Sequence, residues 1–133
     1  MAQDILVGAQ LTPEMISSGA ALVSKLDTLK IQIKAALWLL LPDQHVWRLV
    51  IGSPEVRVLG PKAMYRKISR AVEKLPVTVV SISTSDISVV EDRDPLLVTL
   101  RQAIATGPGI SGIRFSRNMI NGLFIEDAYL YRV

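Results

Sequence analysis

Residues 30–52, Lys-Ile-Gln-Ile-Lys-Ala-Ala-Leu-Trp-Leu-Leu-Leu-Pro-Asp-Gln-His-Val-Trp-Arg-Leu-Val-Ile-Gly, place two apolar runs on either side of four turn-forming residues, Pro42 to His45. Runs of this length joined by such a turn read as a β-hairpin. Pairing Leu41 with Val46 sets a register in which Leu40 faces Trp47, Trp38 faces Leu49 and Leu37 faces Val50. One side then carries Ile31, Ile33, Leu37, Leu39, Leu41, Val46 and Val50. The other carries Trp38, Leu40, Trp47, Leu49 and Ile51. Neither is a solvent face, because covering the two Trp alone removes a few hundred Å² from water, on the order of several kcal/mol.

Half of the 133 residues are hydrophobic, and a chain of this size has limited interior in which to hide them. Helices are expected to cover one face of the hairpin. A second copy is expected to cover the side with Trp38, Leu40, Trp47, Leu49 and Ile51, because symmetric dimers are the commonest closed assembly. The partner expected from the apolar pattern is therefore another molecule of the same chain, in a homodimer working through protein surfaces.

Outward from the hairpin, Thr12-Pro13-Glu14 is a helix start, and the apolar spacing continues it over about 13–28. Gly19 inside the apolar stripe suggests close approach to a neighbour. Val56 to Leu59 reads as a short third strand. Gly60-Pro61 opens a helix to about Lys74 whose buried stripe is Met64, Ile68, Ala71 or Val72, and Leu75. Val77 to Ser83 reads as a β-branched strand, and Ser83 to Ser88 as a polar loop or the start of another extended piece. Asp94-Pro95 starts a third helix that runs through Leu96, Leu97, Leu100 and Ile104 and ends at Gly107-Pro108. Asn121-Gly122 predicts a closing hairpin that pairs Met119 with Phe124, Arg117 with Glu126 and Phe115 with Ala128, with a helical turn over Ser116 to Ile120 as the alternative. The sum is one α+β domain over residues 1–133, with a central, mostly antiparallel sheet built on the 31–51 hairpin and three helices.

Composition excludes several classes of chemistry. The chain has no Cys and one His, which removes disulfides, thiolate chemistry and imidazole-based metal sites. No nucleophile motif of the Gly-x-Ser-x-Gly kind occurs, and the Glu91-Asp92-Arg93-Asp94 cluster is accounted for by a helix cap and loop charge. No metal, no cofactor and no catalytic residue is assigned. Leu37 to Leu41 is too short to cross a bilayer, and the first ten residues lack Lys and Arg, so a secretory signal is not expected. A cytoplasmic location without membrane association is the expectation.

Charge is unevenly spread. From Lys25 to Lys74 ten basic residues meet four acidic ones, a balance of +6, while from Leu75 onward five meet six. Within the second helix Lys62, Arg66, Arg70 and Lys74 follow at four-residue steps and form one ridge, where like charges cost about 0.2–0.5 kcal/mol per neighbouring pair. A ridge of this kind, helped by the positive helix end at Pro61 and Lys62, suits the phosphates of nucleic acid or another polyanion. A solvated face that keeps an apolar chain dispersed explains the same residues. Tyr65 is the one aromatic beside the ridge, too little for base stacking. The segment Thr106-Gly107-Pro108-Gly109-Ile110-Ser111-Gly112 could hold an anion by its backbone N–H groups, but it lacks the flanks of nucleotide loops and reads as a helix stop followed by a turn.

The element order over residues 12–83 is similar to the core of restriction-endonuclease-like nucleases, with Asp43 after Pro42 and Glu55-Val56-Arg57 in the places of the family's acids, and Glu14 as a further acid. That resemblance implies a Mg²⁺-dependent phosphodiester cleavage in which the carboxylates hold the metal and Lys62 or Arg66 grips phosphate. Arg57 stands where the family carries lysine. About nine residues of extended chain, roughly 30 Å, separate Asp43 from Glu55, which argues against a shared ion.

Overall fold

The computed structural model describes residues 10–79 and 82–133. Helix α1 (Pro13–Thr28) begins at a capping box, in which the Thr12 hydroxyl accepts from Met15 N and the Met15 sulfur takes the Thr12 N–H. Strands β1 (Ala35–Leu41) and β2 (Val46–Gly52) form the expected hairpin, and the register Leu41↔Val46, Leu40↔Trp47, Trp38↔Leu49 and Leu37↔Val50 is the predicted one.

The next segment departs from expectation. Residues Glu55–Leu59 are a short helix, α2, not a strand. Ser53 favours the helix by accepting the Glu55 N–H on its hydroxyl, and Gly60, at φ +84, ends it. Val56 packs into the core from this helix, while Val58 and Leu59 remain exposed. Helix α3 (Pro61–Glu73) follows and buries Met64, Ile68 and Ala71.

Val77 to Val79 lie in a turn, Ile82 and Ser83 belong to no strand, and Val80 and Ser81 fall outside the described residues. The strand expected at 77–83 forms later instead. A 3₁₀ turn (Thr84–Asp86) leads into β3 (Ile87–Val90), which pairs parallel with β2. A parallel neighbour needs a long crossover, and α2, α3 and the residues after them supply it. Tyr65 of α3 fastens this edge strand: its hydroxyl donates to Ile87 O at 3.2 Å and accepts from Val89 N at 3.1 Å. Arg48 does the same from β2, with bonds to Ser85 O, Ile87 O and the Ser88 hydroxyl.

Helix α4 (Pro95–Ala103) starts at Asp94, whose carboxylate accepts from Leu96 N at 3.0 Å. Strands β4 (Ile113–Ile120) and β5 (Leu123–Arg132) close on Asn121-Gly122, both at positive φ as a two-residue hairpin turn demands. Met119↔Phe124 and Phe115↔Ala128 pair as predicted, so residues 116–120 are strand. Arg117, at φ +47, interrupts the ladder between Ser116↔Asp127 and Asn118↔Ile125. The expected Arg117–Glu126 pair is therefore missing, while Ile125 and Ala128 of β5 are both buried in one cluster.

The five strands run in the order β3-β2-β1-β5-β4, antiparallel except at β2/β3. Helices α1 and α3 cover one face, where Leu22, Val23, Leu26, Met64 and Ile68 pack on Trp38, Trp47, Leu49 and Ile51. On the other face α4 brings Leu97 and Leu100 onto Ala35, Leu37, Val50 and Leu130. This is an α+β arrangement in three layers. Four α-helices are described, one more than the sequence predicted, the extra one being α2. Among the described residues no helix is long and apolar enough to cross a membrane.

Candidate functional site: two cationic surfaces

Five residues were expected to meet a second copy, and the chain covers them itself. Leu49 and Ile51 are fully buried, Trp38 and Trp47 retain 2% and 6% exposure, and Leu40 packs half-buried against the same cluster. Trp38 is held from both sides: its Nε1–H lies 3.2 Å from Met15 O and 3.0 Å from the Tyr131 hydroxyl, which donates to Ile16 O at 2.6 Å. Burial pushes the Tyr131 phenol well above its ordinary pKa. The oily face is thus a core, because α1 supplies apolar side chains where a partner was expected to.

The acids proposed for metal chemistry do not converge. Asp43 lies in the turn at the far end of β2 from Glu55, and Glu55 and Arg57 are on a helix. Glu55 is committed to structure: it accepts from Gln32 N and from Lys67 Nζ, both at 2.7 Å. Burial works to raise its pKa, yet the Lys67 and Gln32 hydrogen bonds and the Lys67 charge together hold it below the usual carboxylate range. Glu14, on α1, is exposed. Among the described residues no group of three or more His, Asp or Glu is placed to hold a metal ion.

One exposed helix face is strongly positive. Lys62, Arg66, Arg70 and Lys74 are exposed along the side of α3 opposite its buried stripe. None takes part in the ion pairs formed by the described residues. The neighbouring bases are neutralised, Lys67 by Glu55 and Arg57 by Asp92. Glu73 is the only acid on α3. Tyr65, the ring closest to the ridge in sequence, spends its hydroxyl on β3.

A second cationic surface was not legible in the sequence. Where β1 enters the sheet and β5 leaves it, a cleft of about 440 Å³ opens between the turn after α1 and the glycine-containing loop before β4. Lys30, Gln32, Lys34, Thr106, Gly107 and Arg132 line it. Arg132, 6% exposed, forms its floor. It grips Asp27 with two nitrogens, at 3.1 and 2.8 Å, and donates to Ile33 O and Gly109 O. Lys30 and Lys34 are exposed and pair with no acid among the described residues.

Lys30 also holds an uncommon backbone conformation. Its N–H bonds Asp27 O and the Ile31 N–H bonds Leu26 O, both at 3.0 Å, with Lys30 at φ +62. This double bond closes many helices, and glycine is its usual left-handed residue. A side chain there costs about 1–2 kcal/mol. A cation that complements the helix end already exists one turn earlier at Lys25, so that role does not require a lysine at position 30.

No protein-family model, no curated protein and no solved structure matches the chain.

Proposed function

We propose that this chain binds polyanions, nucleic-acid backbone above all, along the outward face of α3, without a reaction of its own. One observation carries the reading: Lys62, Arg66, Arg70 and Lys74 stand exposed and form no ion pair among the described residues, while the nearby acids Glu55 and Asp92 are taken by Lys67 and Arg57. Four like charges in a row raise the energy of the free helix, and phosphates spaced along a strand would relieve it. Tyr65 is engaged elsewhere, so the contact would be with backbone and indifferent to sequence.

A homodimer through Trp38, Leu40, Trp47, Leu49 and Ile51 has lost its motive, since α1 and α3 occupy that face. The proposed partner is therefore a polyanion and not a second copy.

Fluorescence anisotropy with duplex and single-stranded DNA of unrelated sequences, titrated across salt, tests the proposal. Four phosphate contacts on duplex predict a slope of log K against log salt near −3.6. Replacing Lys62, Arg66, Arg70 and Lys74 with Gln should flatten the slope and abolish binding below micromolar protein. Equal binding by that variant refutes the ridge.

A further inference from the structure

We infer that the cleft floored by Arg132 is a separate site for a phosphate monoester, gripped by Lys30 and Lys34 against the backbone of Thr106 and Gly107. Its charge suits that group. Among the lining side chains, Lys30, Lys34 and Arg132 give three positive charges against the one negative charge of Asp27, a side-chain balance of +2 facing a group that carries about −1.5 to −2 at neutral pH. Arg132 is fixed by four hydrogen bonds, so it presents its charge without further ordering. Lys30 is kept at a left-handed position that favours glycine, which places its side chain at the cleft at a cost in stability. Residues held in strained conformations collect at ligand sites. Gly107 leaves the opposite wall open, since an added Cβ there would meet nothing within 4 Å.

The loop does not itself stop the helix: α4 ends at Ala103, short of the expected stop at Gly107-Pro108, and irregular chain runs from Ile104 to Ile113, where β4 begins. What this segment does is bring Thr106 and Gly107 across from lysines more than seventy residues earlier in the chain. A phosphoryl group there would be bound by two mobile ammonium groups and open backbone above a rigid guanidinium. Such charge-assisted contacts are the strong class of hydrogen bond. The site does not depend on the α3 ridge.

Thermal melts and calorimetric titrations with inorganic phosphate at pH 8, at ionic strength matched with chloride, test the site. Phosphate should raise the Tm of the unaltered protein saturably. K34Q should weaken phosphate binding about tenfold or more. K30G should melt about 3 °C higher without ligand and yet lose most of the phosphate-induced rise, an outcome that misfolding cannot imitate. The variant with Lys62, Arg66, Arg70 and Lys74 changed to Gln should bind phosphate as before, which separates this site from the ridge. Absence of a phosphate effect, or an effect unchanged in both K30G and K34Q, overturns the proposal. In the ridge variant, an oligonucleotide with a 5′-phosphate that outcompetes its 5′-hydroxyl twin assigns the group to a nucleic-acid end, and competition by glucose 6-phosphate alone assigns it to a small metabolite. Either result supports the site, and competition by neither refutes it.

Discussion

Replacing Gly19 with Ala sets two effects of opposite sign against each other. Gly19 lies within α1, where exchanging Gly for Ala ordinarily stabilises a helix by about 1 kcal/mol. The surroundings forbid that gain. A Cβ at Gly19 would come within 2.8 Å of both Trp38 Nε1 and Tyr131 Cζ and closer still to the Tyr131 hydroxyl. Tyr131 is 1% exposed and cannot swing away. Overpacking of this kind costs about 1–3 kcal/mol. Displacing the hydroxyl from Ile16 O or from Trp38 leaves a buried polar group unpaired, for about 1–3 kcal/mol more. The net expectation is a loss of about 2–3 kcal/mol, which lowers the urea midpoint by roughly 1 to 1.5 M at the slope usual for a small domain. Urea titration followed by Trp fluorescence measures it. Repeating the exchange in a Tyr131→Phe background removes the hydroxyl and should recover part of the loss. A Gly19→Ala protein as stable as the parent, or more so, would refute the tight packing of α1 on β1 and β5.

Other expectations follow from the same contacts. The Asp127 carboxyl lies below its ordinary pKa, first because Arg114 donates to it at 2.7 and 2.5 Å, against burial, with Ser116 adding a third bond. A lowered folded pKa contributes stability above about pH 4 that fades as pH falls further. Asp127→Asn should therefore flatten the acid side of the stability profile by about 0.5–1 kcal/mol, a modest figure because Arg114 is half exposed; an unchanged profile between pH 6 and 3 would count against it. Asp27→Asn removes the charge partner of Arg132, whose side chain is 7% exposed, and should cost about 2–3 kcal/mol in chemical denaturation; a loss under about 0.5 kcal/mol would show that Ile33 O and Gly109 O suffice. Light scattering at micromolar concentration should give the mass of one chain, 14.6 kDa, because both sheet faces are covered internally, and twice that mass would point to a different patch such as exposed Met119 and Phe124.

The sequence is most transparent where a local rule decides. Pro42 to His45 and Asn121-Gly122 admit few turns, and each turn sets its hairpin's register. Helix starts at Thr12-Pro13 and Asp94-Pro95 are legible for the same reason. Two short β-branched runs, Val77 to Ser83 and Ile87 to Val90, look alike by propensity. Among the described residues only the second pairs with β2, a choice that propensity does not make. Val56 and Val58 misled because a single hydroxyl, on Ser53, outweighs their preference. The α3 ridge was visible because it lies on one helix. The cleft was not, because Lys30, Lys34, Gly107 and Arg132 come from three distant segments. The expectation that a second copy covers Trp38 and Trp47 rested on the two oily sides of the hairpin, and that pattern does not reveal that α1 folds back over the Trp side.

Strand β5 is the last of the five in sequence yet lies between β1 and β4. While the chain is being synthesised, the hairpin of β1 and β2 can zip early, but the flank of β1, Ala-Ala-Leu-Trp-Leu-Leu-Leu, has no neighbour until residues 123–132 emerge. Until then the nascent polypeptide carries a naked, greasy ribbon edge, the kind that recruits other chains. Termination before β5 should yield inclusion bodies, not a smaller folded unit, and chaperone demand should fall once β5 is free to pair with β1.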